Sequence, residues 1–147
     1  MLKNPTTDEM EDILKQAVWP TILIIDDVPF VTAALERNLR NDLIILTANN
    51  GIDARKIIAE RSDIDALLLD VTMPDYDSVE MLTDLAKSGR FPPIILFSGY
   101  CQDLMRIVSD FAESLGFAIL NTLEKPASKD AILTSLRLIN KQPLSTK

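Results

Sequence analysis

Asp70 closes the apolar run Ala66-Leu67-Leu68-Leu69 and is followed by Val71-Thr72-Met73-Pro74. Upstream, Thr21-Ile22-Leu23-Ile24-Ile25 ends in Asp26-Asp27. Downstream, Pro93-Ile94-Ile95-Leu96-Phe97 ends in Ser98, and Lys125-Pro126 follows a fourth apolar stretch. On parallel strands these groups gather at one edge of one sheet. Neighbouring strands lie about 4.8 Å apart, so carboxylates at adjacent strand ends repel and raise one another's pKa. A hard divalent cation relieves that repulsion, and Mg²⁺ takes oxygen ligands in an octahedron while keeping some of its water. Asp27 and Asp70 are expected as direct ligands of Mg²⁺, or of Mn²⁺ in its place. Asp26 acts through water, and the backbone carbonyl of Thr72 adds a further oxygen. For that role Thr72 needs only its main chain.

A carboxylate can attack phosphorus once the developing charge is neutralised. Asp70 is the expected phosphoacceptor. Lys125 supplies a positive point charge, and Ser98 a hydrogen bond to a phosphoryl oxygen. The product is an aspartyl phosphate, a mixed anhydride that water cleaves, and it adds roughly two negative charges at one strand end.

The elements that must position this set alternate strand and helix from Thr21 onward. The predicted strands are Thr21–Ile25, Leu43–Thr47, Ala66–Leu69, Ile94–Phe97 and Phe117–Leu120. The predicted helices cover about Phe30–Arg40, the segment after Asn49-Asn50-Gly51, Ser78–Lys87, a fourth ending at Gly116, and Ser128–Lys141. The fourth carries the cleanest stripe, Leu104, Ile107, Val108, Phe111, Ala112 and Leu115, read as core with breadth for a self-association patch. Short, solidly apolar strands are covered on both faces. Five of them interleaved with helices give an α/β fold with a parallel sheet. Right-handed crossovers favour the order 2-1-3-4-5, with helices on both faces and ligands bound beyond the carboxyl ends of the strands. Residues 1–20 read as an N-terminal helical extension: Thr6 with Glu9 fits a capping box, and Met10, Ile13, Leu14 and Ala17 share a face. The main domain spans 21–141, and Gln142–Lys147 is an expected frayed tail.

Composition narrows the function. The 147 residues carry 15 basic and 22 acidic side chains, a net charge of −7, which argues against direct nucleic-acid binding. The chain has no histidine, so it has no His general base, no His ligand and no phosphohistidine of its own. Four glycines form neither GxxxxGK nor GxGxxG, so a phosphoryl donor is brought by another molecule. Cys101 is the single cysteine and reads as a bystander. No apolar run of membrane-spanning length and no secretion signal stand in the sequence, giving a cytoplasmic expectation. Glu124 and Asp75 read as solvated charges, and Tyr100 as a surface aromatic.

The ordered set Asp26-Asp27, Asp70 with Met73-Pro74, Ser98 and Lys125-Pro126 resembles the receiver domain of two-component response regulators, over about Thr21 to Lys141. The resemblance implies a flavodoxin-like receiver fold and Mg²⁺ at Asp26, Asp27 and Asp70. It implies transfer to Asp70 from a phosphohistidine of a sensor histidine kinase or histidine phosphotransfer protein, with Ser98 and Lys125 as switch residues. Drawing Ser98 and its loop inward would shift the face made by the fourth helix, fifth strand and fifth helix, the expected surface for an effector protein or self-dimer. Such a chain catalyses its own phosphorylation and dephosphorylation and is otherwise not an enzyme. The segments Phe97-Ser98-Gly99-Tyr100 and Leu120 to Pro126 also look like receivers attached to EAL-type cyclic-di-GMP phosphodiesterases.

The sequence departs from that pattern. Thr122 stands where many receivers have an aromatic residue three places before the lysine, Ala127 replaces a common Phe, and Ser78 a frequent Gly. The alternative reading is therefore a phosphorylation-independent pseudo-receiver binding module, which the intact acidic set opposes. An aspartate-nucleophile phosphatase or dehalogenase would need a second Asp two places after the nucleophile, where Thr72 stands.

Overall fold

The structure is a computed structural model, and it describes residues 4, 6–10, 19–73, 77–99 and 102–139. From Thr21 onward, among the described residues, five strands, β1 (Thr21–Ile25), β2 (Ile44–Ala48), β3 (Ala66–Asp70), β4 (Ile94–Ser98) and β5 (Ile119–Glu124), alternate with five helices. These are α1 (Pro29–Leu39), α2 (Gly51–Glu60), α3 (Asp77–Lys87), α4 (Gln102–Leu115) and α5 (Lys129–Leu136). The sheet order is β2-β1-β3-β4-β5, and every neighbouring pair is parallel. This is the predicted α/β arrangement.

The reason for the unbroken apolar strands is visible in the two cores. Along β1, Leu23 and Ile25 face a layer with Leu67, Leu69, Leu96 and the buried sides of α2, α3 and α4. Ile22 and Ile24 face the opposite layer with Leu68, Ile95, Phe97 and residues of α1 and α5. A strand with two dry faces has no position for a polar side chain until it emerges at its end, and in β1 and β3 the emerging residues are Asp26 and Asp70.

Local signals set the helix ends. Pro29 opens α1, where its missing N–H costs no hydrogen bond. The Asn50 side chain accepts from the Asp53 N–H at 2.7 Å, and Ser128 Oγ from the Ala131 N–H at 3.0 Å, capping α2 and α5. Gly116 ends α4 at φ +112°, and a Cβ there would meet the Phe91 ring at 3.2 Å. At the N-terminus Thr6 and Glu9 exchange bonds as a capping box: Glu9 Oε1 accepts from the Thr6 N–H at 2.8 Å and Thr6 Oγ1 from the Glu9 N–H at 3.0 Å. Met10 is exposed, whereas Ile13, Leu14 and Ala17 lie outside the described residues. Among the described residues no helix is long and apolar enough to cross a membrane.

Three elements differ from expectation. β5 begins and ends later than Phe117–Leu120, because it is an edge strand whose later residues Asn121, Thr122 and Glu124 are exposed and break the apolar pattern. Its register slips at Leu120, since Ile94 pairs with Ile119 and Ile95 with Asn121. In α4, Met105, Val108 and Ala112 are buried and Ile107 is 62% exposed. Leu104, Val108, Phe111, Ala112 and Leu115 of the predicted stripe lie in or against the core; Met105 joins them, and Ile107 alone of the stripe belongs to the surface. α5 stops at Leu136, where i→i−3 bonds from Arg137, Leu138 and Ile139 tighten the last turn; residues 140–147 lie outside the described set.

Candidate functional site

The sheet register assembles the site. Ile25 lies beside Leu69, which sets Asp26 beside Asp70. Asp70 pairs with Phe97, and the Ser98 carbonyl accepts from the Lys125 N–H at 2.7 Å, so the lysine leaves the sheet next to the serine. Asp26, Asp70 and Ser98 are buried and Asp27 is exposed. All five side chains singled out in the sequence, Asp26, Asp27, Asp70, Ser98 and Lys125, thus converge at the carboxyl edge of the sheet. Pro74, Asp75, Tyr100 and Cys101 lie outside the described residues, and Glu124 is exposed as expected.

Lys125 ties the acids together. Its Nζ lies 2.7 Å from Asp26 Oδ2 and 3.4 Å from Asp70 Oδ2, with its side chain 22% exposed. The Phe97 ring lies beneath it, its centroid 4.8 Å from Nζ, and the Lys125–Pro126 peptide is cis. Burial pushes the Asp26 carboxyl above its ordinary pKa, and the Asp70 charge adds to the rise. Hydrogen bonds from Lys125 and the Val28 N–H, the latter at 2.9 Å, offset it only in part. Burial works against the Lys125 charge too, but the Asp26 hydrogen bond and the Asp70 charge outweigh it and raise the lysine pKa.

Asp26, Asp27 and Asp70 each offer a carboxylate oxygen, and the three oxygens lie within 4.8 Å of one another. Convergent, anionic, oxygen-only donors with one exposed member match the hard-ligand preference and partial hydration of Mg²⁺. The residues present therefore fit a divalent cation.

Three features were not read from the sequence. The Thr72 hydroxyl is one, because a carbonyl ligand calls on the main chain alone. Thr72 Oγ1 donates to Asp70 Oδ1 at 2.7 Å, and the Thr72 N–H donates to the same oxygen at 2.9 Å. Asn49 is another: its Nδ2 donates to the Asp26 carbonyl at 2.8 Å and to Thr32 Oγ1 at 3.2 Å. It brackets the end of β2 to the acidic loop and the first turn of α1. Asn49-Asn50-Gly51 reads as a turn, and the only signal for a further role was its place at the end of the strand beside β1. The third is the Phe97 ring under Lys125.

Two grooves flank the site. One, of about 690 Å³, runs between α1 and the loop after β5, lined by Phe30, Ala34, Arg37, Phe97 and Ala127; Phe30 is 77% exposed. The other, of about 490 Å³, lies between α4 and β5 and is lined by Met105, Arg106, Thr122 and Glu124. It is open where the Thr122 side chain is short.

Comparison with known proteins agrees with this architecture. The family model of the response regulator receiver domain matches residues 22–137. Response regulator MprA of Mycobacterium leprae is 31% identical over 119 residues, covering 80% of this chain and 50% of that protein. The Vibrio cholerae chemotaxis protein CheY4 superposes with a TM-score of 0.69 at 18% identity, covering 83% of this chain and 99% of that one. A response regulator protein from Burkholderia pseudomallei, solved with a phosphorylated aspartic acid, a calcium ion and citrate, superposes with a TM-score of 0.64 at 22% identity. That match covers 80% of this chain and 66% of that one. At such identities the structural likeness shows the fold. The chain spans about half the length of the curated relatives it matches. With the family model matched over residues 22–137 and the parallel sheet in the order that fold requires, this chain belongs to the response regulator receiver domain family.

Proposed function

We propose that the chain is a phosphorylation switch in which Asp70 accepts a phosphoryl group from a phosphohistidine on a partner kinase or phosphotransfer protein. The observation that carries this reading is the geometry at Asp70. Its carboxylate is buried, Oδ1 is held by two donors from Thr72, and Oδ2 faces the Lys125 ammonium at 3.4 Å. Oδ2 attacks phosphorus as the P–N bond breaks, and the electron pair leaves on the imidazole. Lys125 stands beside the bond being formed, and Ser98 would donate to a phosphoryl oxygen. Asp26, Asp27, Asp70 and the Thr72 carbonyl would hold Mg²⁺ or Mn²⁺, which when bound supplies positive charge to the transferring oxygens. A Burkholderia protein of the same fold was solved with a phosphorylated aspartic acid and a calcium ion, which is in keeping with this reading.

The output in this reading is an altered surface on α4, β5 and α5, offered to an effector protein or a second copy of the chain. The exposed Ile107 and the groove beside Thr122 lie on that surface. Beyond handling its own phosphate the chain carries out no reaction on a free substrate. The test is incubation with Mg²⁺ and a small acyl phosphate, followed by intact-mass measurement and a beryllofluoride-binding titration. Wild type gains the mass of one phosphoryl group and Asp70→Asn does not. No gain and no beryllofluoride binding in wild type, or equal gain in Asp70→Asn, refutes the reading.

A further inference from the structure

We propose that Asn49, acting with Thr32, sets which divalent cation the acidic cluster prefers, by fixing the peptide unit that joins Asp26 to Asp27. This inference rests on the cluster holding a divalent cation. β1 ends at Ile25, and the Asp26 N–H still bonds to β2, donating to the Ala48 carbonyl at 3.1 Å. The Asp26 carbonyl finds its partner in a side chain instead, Asn49 Nδ2 at 2.8 Å. A carbonyl only accepts, so the nitrogen of the Asn49 amide must face it. That nitrogen also meets Thr32 Oγ1 at 3.2 Å. Thr32 is buried, and its hydroxyl proton is committed to the Pro29 carbonyl at 3.0 Å. The Thr32 oxygen therefore accepts from Asn49. One amide thus holds both ends of the loop that carries the acids, Asp26 at its start and, through Thr32, Pro29 at its close.

A peptide unit is planar, so fixing the direction of the Asp26 carbonyl fixes the plane from which Asp27 leaves. Asp27 is the exposed member of the three acids, and Asp26 and Asp70 are buried. Repulsion among three carboxylates drives the exposed one outward, yet an oxygen of each lies within 4.8 Å of the other two. Among the described residues no hydrogen bond or ion pair holds the Asp27 carboxylate. Its place comes from the main chain that Asn49 fixes. Cations respond differently to such ordering. Mg²⁺ demands a near-ideal octahedron, whereas Ca²⁺ is larger and accepts a flexible set of oxygens. A loosened Asp27 therefore costs Mg²⁺ more than Ca²⁺. Asn49→Ala leaves every charge of the cluster in place. A residue that only stabilised the fold would weaken both cations alike.

The experiment titrates the full chain by calorimetry with Mg²⁺ and, separately, with Ca²⁺, comparing wild type with Asn49→Ala, Thr32→Val and Thr32→Ser. Thermal melts in EDTA record the stability of each protein without cation. In Asn49→Ala, Mg²⁺ binding is expected to weaken about fivefold, equivalent to about 1 kcal/mol at about 1.4 kcal/mol per tenfold. Ca²⁺ binding should weaken by less than about twofold. Thr32→Val should lower the ratio of Mg²⁺ to Ca²⁺ affinity in the same direction, and Thr32→Ser should restore it. Equal weakening of both cations, an unchanged Mg²⁺ affinity in Asn49→Ala, or a Thr32→Ser protein that behaves like Thr32→Val overturns the inference while leaving the cation site intact. A wild-type chain that binds neither cation overturns both. Thr32→Val cuts the same bracket from its other end, so the test stands if Asn49→Ala does not fold.

Discussion

Replacing Lys125 by Met isolates the work done by one ammonium group. Methionine keeps an apolar stem of similar length and deletes the charge that lies 4.8 Å from the Phe97 ring centroid, 2.7 Å from Asp26 and 3.4 Å from Asp70. Asp26 is fully buried, and its remaining hydrogen bond to that carboxylate comes from the Val28 N–H. Removing one partner of a buried pair costs about 3–5 kcal/mol. The lysine is partly exposed, so water reaches the gap and the lower end, about 3 kcal/mol, applies. For a domain of this size that lowers the melting temperature by on the order of 10 °C.

The pH dependence gives the sign. Burial already raises the Asp26 pKa above its ordinary value of 3.8, and the Lys125 hydrogen bond is the largest opposing influence. Without it the folded-state pKa climbs further. A raised group contributes its full stability below the unfolded value and loses it as pH rises through the folded value. The deficit of Lys125→Met is therefore small near pH 4 and largest at neutral pH. Adding Asp26→Asn removes the stranded charge and recovers more than half of the loss. Thermal melts of the four proteins of this double-mutant cycle, across that pH range, measure it. A single mutant as stable as wild type at neutral pH, or one that Asp26→Asn fails to rescue, refutes the reasoning.

Other outcomes follow from the same contacts. Mg²⁺ at about a hundred times its dissociation constant raises stability by about 2.7 kcal/mol, and thermal shift assays will show this lost in Asp27→Asn and Asp70→Asn. Asn49→Ala strips a hydrogen bond from the Asp26 carbonyl, so it costs about 1 kcal/mol and weakens Mg²⁺ binding several-fold by calorimetry. Gly116→Ala places a Cβ against Phe91 at a φ of +112°; it costs about 1–3 kcal/mol in denaturant unfolding. On beryllofluoride binding, hydrogen exchange across residues 129–136 changes in wild type and in Thr122→Ala but not in Ser98→Ala.

The sequence disclosed most of the fold because its strands are dry on both faces. Ile22 and Ile24 point to one core and Leu23 and Ile25 to the other, so the apolar run has a single reading. The site was legible because the polar residues that break such runs, Asp26, Asp70 and Ser98, stand at strand ends. What escaped was set by tertiary geometry. The later half of β5 is an edge strand whose exposed positions break the apolar pattern. Ile107 fits a helical stripe by spacing, but the seam of α4 is fixed by which neighbours it meets. Asn49 and the Thr72 hydroxyl act through side-chain hydrogen bonds to atoms of the neighbouring acids. No periodicity records such bonds.

In the proposed switch, the charge balance of the site makes an aromatic ring at position 122 unnecessary. Three carboxylates face one ammonium, and that ammonium is shared unequally, closer to Asp26 than to Asp70. A phosphoryl group on Oδ2 of Asp70 adds negative charge on the more distant side, so the pull on Lys125 shifts toward Asp70. The lysine cannot respond alone. Its N–H is bonded to the Ser98 carbonyl at 2.7 Å, and α5 begins four residues later at Lys129. α5 is tied back to β5 by Asn121, whose Nδ2 donates to Ser135 Oγ at 3.0 Å. Force on Lys125 therefore reaches β5 and α5 through the main chain and the Asn121–Ser135 hydrogen bond. An exposed threonine at position 122 lies off that route, and this is why the hydrogen-exchange response is expected to survive its removal and to fail with Ser98.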